Sequence, residues 1–293
     1  MKWLSFALMI VAGVLAIYGL IQDRKGVNWG RPLATVAAAG ALVLALFNLF
    51  SGEGSENIKK IRASQEQFQE IAGEKLGRHI ATKYEGSKVL AIAGVDHVKM
   101  AEEYGMDFGT RRQPWKNYLD GLKKGLGERA ELVDVVNLEI PQEVKDMMRQ
   151  EQERLAQSEG ADEVDQVPID MFMFEGDAMV QAQNYNKALA PYVREVDVVV
   201  MLSDMPYDLE NLVLWNMQSP PKLALMRGGA MGKLRNAISQ GYIIGVVSYR
   251  PGYDFEDRTV PKDLDEAFNK RFLLITPDNV EQMASEYEEL FPE

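Results

Sequence analysis

The chain has 293 residues with 46% hydrophobic and 26% charged side chains, no Cys and only two His, and a formal net charge of −12. Collagen-like, disulfide-stapled and wholly disordered classes are thereby excluded, as are thiolate zinc sites, Cys-ligated iron–sulfur clusters and Cys nucleophiles. The first fifty residues carry Lys2, Arg24, Lys25 and Arg31 against Asp23, a net of +3, so residues 51–293 carry −15, which argues against nucleic acid as a partner.

Two uncharged apolar runs open the chain, Trp3 to Ile21 and Pro32 to Phe50, joined by the short connector Gln22–Arg31. Each is close to the ~20 apolar residues needed to cross a ~30 Å hydrocarbon layer, so residues 1–50 are expected to form a two-helix transmembrane hairpin. A cleavable signal peptide and a buried helix are the alternatives; the first run lacks a small-x-small cleavage site. Arg24, Lys25 and Arg31 crowd the connector and lean it toward the cytoplasm. That expectation makes the chain an integral membrane protein with its remaining residues extracytoplasmic, although Lys2 argues the other way.

Residues 51–87 read as a linker and stalk helix. The polar break Ser51–Ser55 precedes a helical stretch from about Glu56 to Tyr84, with an apolar stripe at Ile58, Ile61, Phe68, Ile71, Leu76 and Ile80. Gly73 and Gly77 weaken a self-associating coiled coil there, so packing onto the chain's own domain is favoured.

Residues 88–293 read as a Rossmann-like α/β domain, in which about six strands form a doubly wound, mainly parallel sheet. The strand runs are Lys88–Ala93, Glu131–Ile140, Asp197–Leu202, Lys222–Met226, Tyr242–Val247 and Arg271–Thr276. Helices are expected at about Pro114–Leu126, Gln142–Gln157, Gly176–Val196, Asp208–Met217, Met231–Gln240, Lys262–Asn269 and Val280–Leu290. Ser158–Asp170 reads as an exposed acidic loop without calcium-loop spacing. Met147, Met148 and the run Met171 to Phe174 read as core.

Ligands of open parallel sheets bind beyond the carboxyl ends of the strands, which directs attention to the residues after each run. These are Gly94, Asp96 and His97 after the first, Ser203 and Asp204 after the third, Arg227, Gly228 and Gly229 after the fourth, and Ser248, Tyr249 and Arg250 after the fifth. The set mixes donors, acceptors and glycines and suits a small polar ligand; Gly, Asp and Ser are also ordinary turn residues. Arg227 to Lys233 looks like a phosphate loop but has Arg at 227 and Leu at 234, where Gly and Ser or Thr are required. A dinucleotide fingerprint and a Gly-x-Ser-x-Gly elbow are both lacking.

The strand Lys88–Ala93, the helix with Tyr118-Leu-Asp-Gly-Leu-Lys-Lys-Gly-Leu126, the strand Glu131–Ile140 and the run Val196-Asp-Val-Val-Val-Met-Leu202 together resemble one lobe of type 1 periplasmic-binding proteins. The resemblance spans residues 88–251 and implies a ligand held at strand ends, with Asp96, Ser203 and Arg227 nearest it. The chain departs from that family in having about six strands where two lobes need about twice as many. The expectation is a non-catalytic binding or sensing module for a small polar ligand or a protein partner, with no cofactor and no metal, and with homo-oligomerisation open. A structural subunit of a membrane complex and an enzyme using Asp or Glu chemistry are the alternatives.

Overall fold

The computed structural model describes residues 53–96, 99, 113–157, 181–228 and 231–292, together with 11, 14–22, 25, 29, 32, 35–38 and 40. His97, Gly229, Ser158–Asp170 and the Met171–Phe174 run lie outside the described residues. The chain divides into two compact units, Met1–Ala63 and Ser64–Glu293.

In the first unit the described backbone is helical at residues 14–22 and 35–38, and the Tyr18 and Trp29 rings lie 6.1 Å apart. The expected transmembrane hairpin is corrected here. Among the described residues no helix is long and apolar enough to cross a membrane: the long one, Glu53–Lys83, carries charged side chains along its length. Much of both apolar runs falls outside the described residues. The integral-membrane placement, which depended on the hairpin, does not stand either.

Helix α1 (Glu53–Lys83) leads into the second unit. There follow β1 (Lys88–Ala93), α2 (Pro114–Leu126), β2 (Glu131–Asn137), α3 (Gln142–Gln157), α4 (Ala182–Leu189) and β3 (Val198–Met201). Two short 3-10 turns precede β4 (Lys222–Leu225), α5 (Met231–Ser239), β5 (Ile243–Tyr249), α6 (Leu264–Arg271), β6 (Phe272–Ile275) and α7 (Val280–Glu286). The six strands form one sheet in the order β2-β1-β3-β4-β5-β6, parallel except for β6, which runs antiparallel to β5.

Buried strand residues alternate between two cores, as the two-residue period of a pleated sheet demands, except at the register shift in β5, where Ile244 and Val246 fall on opposite faces. Val89, Ala91, Val198, Val200, Ala224 and Ile244 pack with Phe68, Leu76 and Ile80 of α1, Tyr118 and Leu122 of α2, and Phe268 of α6. Leu90, Ile92, Val199, Met201, Leu225 and Val246 face the other way, onto Val144 of α3, Tyr185 of α4, Leu234 of α5 and Val280 of α7. Both faces are thus covered, which is why the central strands read as continuous apolar runs.

Helices α1 and α2 cross at glycines. Gly73 and Gly77 on α1 and Gly121 and Gly125 on α2 each recur after four residues, which places each pair on one face. A Cβ on Gly77 would lie 2.5 Å from the Leu122 carbonyl oxygen, and one on Gly125 would lie 2.7 Å from the Arg78 nitrogen. The glycines that weaken α1 as a coiled coil therefore let it seat directly against α2. Gly245 in β5 does the same for the sheet, since a Cβ there would lie 2.9 Å from Leu76 Cδ1.

Three expectations are revised. The helix expected over Asp208–Met217 is two 3-10 turns, Leu209–Asn211 and Val213–Asn216. Tertiary bonds claim the polar groups a helix would use: the Asn186 amide takes the Val213 N–H at 2.8 Å and donates to the Asn211 carbonyl at 3.0 Å, and Asp208 accepts from the Ala182 N–H at 2.7 Å. Met147 is 40% exposed, because Val144 is the residue with which α3 meets the core. In the region expected as one helix over Gly176–Val196, α4 covers only Ala182–Leu189, with Pro191 just beyond it.

His79 on α1 donates from Nε2 to the Ile244 carbonyl at 2.9 Å. Burial is the main reason its pKa lies below the usual 6.5; Lys83 and Lys75 push the same way, and the Ile244 bond and Asp278 oppose them. The unfolded chain therefore takes up a proton at this site more readily than the folded one. The stability involved is present above about pH 6.5 and is lost as pH falls below it. Urea unfolding midpoints of the native chain should drop between about pH 7 and about pH 5, and those of His79→Gln should drop less; equal slopes would overturn this.

Candidate functional site

The carboxyl ends of β1, β3, β4 and β5 share one edge of the sheet. After β1 the chain turns to α2 on one face, whereas after β3 it turns to Leu212 and Leu214 on the other. The strand order reverses between these neighbours, the position at which open α/β sheets place their ligands.

At this edge Asp204 and Arg227 form an ion pair, with Arg227 Nη1 3.1 Å and 3.2 Å from the two carboxylate oxygens. Both are substantially exposed, so the pair itself adds little to stability. It borders a cavity of about 200 Å3 lined also by Tyr118, Gly228, Ser248 and Tyr249, with Phe272 among its apolar walls. That volume falls below the ~300–1,000 Å3 of drug-sized pockets and suits a small solute.

Tyr118 projects from α2 and is almost wholly buried. Burial first, and then its neighbour Tyr249, push its phenol above the usual range, so it stays a neutral hydroxyl at physiological pH. Tyr249 stacks on Tyr253 with ring centroids 5.2 Å apart and packs on Phe272 at 5.1 Å. The cavity thus carries one cation, one anion, phenolic hydroxyls and aromatic faces.

The loop after β3 is held from below by Tyr185 of α4. Its hydroxyl donates to the Asp204 carbonyl and lies 3.0 Å from Ser203 Oγ, which therefore supplies the proton of the second bond. Burial raises this phenol to about 12, and the Ser203 bond pulls it down. Ser203 is consequently tied to a tyrosine, and among the described residues no histidine bonds to it.

Of the residues singled out by sequence, Asp204, Arg227, Gly228, Ser248 and Tyr249 line the cavity, Gly94 stands next to Ser203, and Asp96 lines a separate cleft. The Gly94 carbonyl accepts from Asn137 Nδ2 at 2.8 Å, and Asp96 Oδ1 accepts from Gln113 Nε2 and from the Lys99 N–H at 3.2 Å. Gly228 lines the cavity, but its N–H is committed to the Val247 carbonyl at 3.0 Å. Its glycine is required for packing, since a Cβ would meet Val246 Cγ1 at 2.5 Å. Arg250 is drawn away: Nε donates to the Asn269 carbonyl and Nη1 to the Tyr287 hydroxyl, both at 2.7 Å. His97 and Gly229 lie outside the described residues.

The sequence alone does not single out Tyr118 and Phe272, which line the cavity. A tyrosine on an amphipathic helix reads as core, and only the seating of α2 over β1 brings it to the strand ends. A second cleft, about 290 Å3, lies at the ends of β1 and β2, with Asp96, Lys99, Asn137 and Glu139 in its lining. Among the described residues no cluster of three His, Cys, Asp or Glu has a metal-binding arrangement.

No protein-family model matches the chain. No curated protein matches its sequence either. Among solved structures, the chain is similar to an ABC transporter solute-binding protein from Burkholderia graminis C4D1M in complex with D-arabinose, at 11% identity and a TM-score of 0.39, covering 73% of this chain and 60% of that one. It is similar to an arabinose-binding protein from Geobacillus stearothermophilus at 13% identity and a TM-score of 0.39, covering 73% and 62%. It is also similar to a twin-arginine translocation pathway signal protein from Burkholderia phytofirmans at 12% identity and a TM-score of 0.39, covering 75% and 59%. The chain therefore spans about three fifths of the length of each.

Proposed function

We propose that the strand-end cleft is the binding site of a small polar solute and that the α/β domain is a binding or sensing module. The observation that carries this reading is the Asp204–Arg227 pair on the wall of a small cavity that also presents the phenols of Tyr118 and Tyr249. Opposite charges side by side, with neutral donors beside them, favour a ligand rich in dipoles over one of high net charge. Backbone hydrogen bonds, such as Met226 N–H to the Met201 carbonyl at 2.9 Å, hold the strand ends in place, which lowers the entropy lost on binding.

A thermal-shift screen of polar solutes against the full chain tests it. A solute at about one hundred times its Kd should add about 2.7 kcal/mol of stability. Arg227→Ala should remove that gain while leaving the melting temperature without solute within about 2 °C, since the ion pair is exposed. A screen without a stabilising solute, or an Arg227→Ala protein stabilised as strongly as the native one, would overturn the reading.

A further inference from the structure

The Asp204–Arg227 pair is made through a single nitrogen. Arg227 Nη1 stands 3.1 Å from one Asp204 oxygen and 3.2 Å from the other. A guanidinium can instead meet a carboxylate along a two-nitrogen edge, and the edge formed by Nε and Nη2 is not spent on Asp204. Each Asp204 oxygen, facing that one nitrogen, keeps room for a further donor. The Arg227 side chain is 47% exposed and that of Asp204 62%, so a solute entering from water meets both charges.

The rest of the cavity divides by polarity. Met226, Val247 and Phe272 are buried and form its apolar part. The Tyr118 hydroxyl is bonded to that of Tyr249, whose ring is taken up by Tyr253 and Phe272. Asp204 and Arg227 are the charged residues of the lining, one of each sign, in contact with one another and beside hydrocarbon.

We infer that the ligand of this cleft is a small zwitterion whose two charges are one carbon apart and whose remainder is apolar, the simplest case being an α-amino acid with an apolar side chain. The inference rests on the reading of the Asp204–Arg227 cleft as a binding site. The ligand carboxylate lies along the Nε and Nη2 edge of Arg227, its ammonium donates to Asp204, and its side chain rests on Met226, Val247 and Phe272. Filling the cleft strips water from two ions, a loss that an opposite charge offsets better than a neutral hydroxyl does. A carboxylate alone would serve Arg227 and press negative charge on Asp204, and an ammonium alone would do the reverse. Because the charges of the pair touch, those of the ligand must also be close. A long chain between them would have to fold, at a cost in entropy.

Calorimetric titration of the full chain provides the test. The zwitterions are L-alanine, L-valine, L-leucine and L-phenylalanine. Their amides carry the cation alone and their N-acetyl derivatives the anion alone, 6-aminohexanoate separates the charges, and erythritol is the neutral polyol. At least one of the four amino acids should bind saturably, with a Kd at least about tenfold below that of every other class of probe. With near-ultraviolet circular dichroism unchanged, Arg227→Gln should weaken that amino acid at least about tenfold and shrink its lead over its own amide. Asp204→Asn should shrink its lead over its own N-acetyl derivative, a selective change that mere loss of structure does not produce. A lead held by erythritol, 6-aminohexanoate or a singly charged derivative overturns the inference. A solute from the thermal screen that requires Arg227, while none of the four amino acids binds, sinks the zwitterion alone. Amino-acid binding undiminished in both variants sinks the cleft reading itself.

Discussion

Replacing Gly121 by Val is expected to cost the domain at least about 3 kcal/mol, a loss larger than most single substitutions cause. A Cβ at this position meets the Glu70 carbonyl and would lie 2.8 Å from the Glu74 nitrogen, both of them backbone atoms of α1. Neither can swing aside as the end of a flexible side chain would. The two helices are also pinned from behind, α1 by Leu76 and Ile80 and α2 by Leu122 and Leu126, all buried in one core. In an exposed helix, exchanging Gly for a residue with a Cβ gains up to about 1 kcal/mol of propensity, so here the sign is reversed by packing. Lys123→Ala, on the exposed side of α2, is the control and should change stability by less than about 0.5 kcal/mol. Urea titrations of the three proteins decide the matter. A Gly121→Val midpoint equal to the native one would mean that the helices do not approach each other at these glycines.

Phe68→Ala is expected to cost about 3–5 kcal/mol. Phe68 is 1% exposed, and its loss would leave a cavity among Leu76, Tyr118 and Phe268. The ring has a second duty. The guanidinium of Arg271 lies 3.8 Å from its centroid, and Arg271 is itself buried, donating from Nη2 to the Asp257 carbonyl at 2.8 Å while its Nε is unmet among the described residues. Burial is the main cause that lowers the pKa of Arg271, so the ring face is part of what makes its charge tolerable there. Phe68→Leu restores most of the volume without the ring and should fall between the native protein and Phe68→Ala. A double-mutant cycle with Arg271→Met should show a coupling of about 1–2 kcal/mol. A loss below about 1 kcal/mol for Phe68→Ala would mean that α1 beyond Ser64 is not packed in the core.

The strands were the most legible part of the fold, and for a physical reason. Strands buried on both faces need β-branched and aliphatic side chains at nearly every position, and Lys88–Ala93 carries that pattern over the same bounds in sequence and structure. The apolar runs at residues 1–50 misled because length and hydropathy alone do not establish a membrane span, and no helix among the described residues has both. The glycines of α1 were read as weakness because propensity is a local quantity, whereas their contacts are with a helix some fifty positions away.

The candidate site divides in the same way. Asp204 and Arg227 were legible because the rule that ligands sit beyond strand ends needs only the positions of the strands. Gly228 and Arg250 were drawn by the same rule, yet one N–H is spent on Val247 and the other side chain on Asn269 and Tyr287. Tyr118 and Phe272 could not have been chosen from spacing, since nothing local distinguishes them from core residues.

By itself, the sequence determined the alternation of strands and helices, the acidic charge of the larger unit and the absence of any thiol chemistry, because each of these follows from composition or from a short-range period. Only the tertiary structure decided that α1 and α2 meet glycine to glycine, that β6 turns antiparallel, and that Tyr118 of α2 lines one cavity with the Asp204–Arg227 pair at the end of the sheet. Those features are contacts between residues far apart in the chain, and their energies depend on distances that no local pattern of side chains encodes.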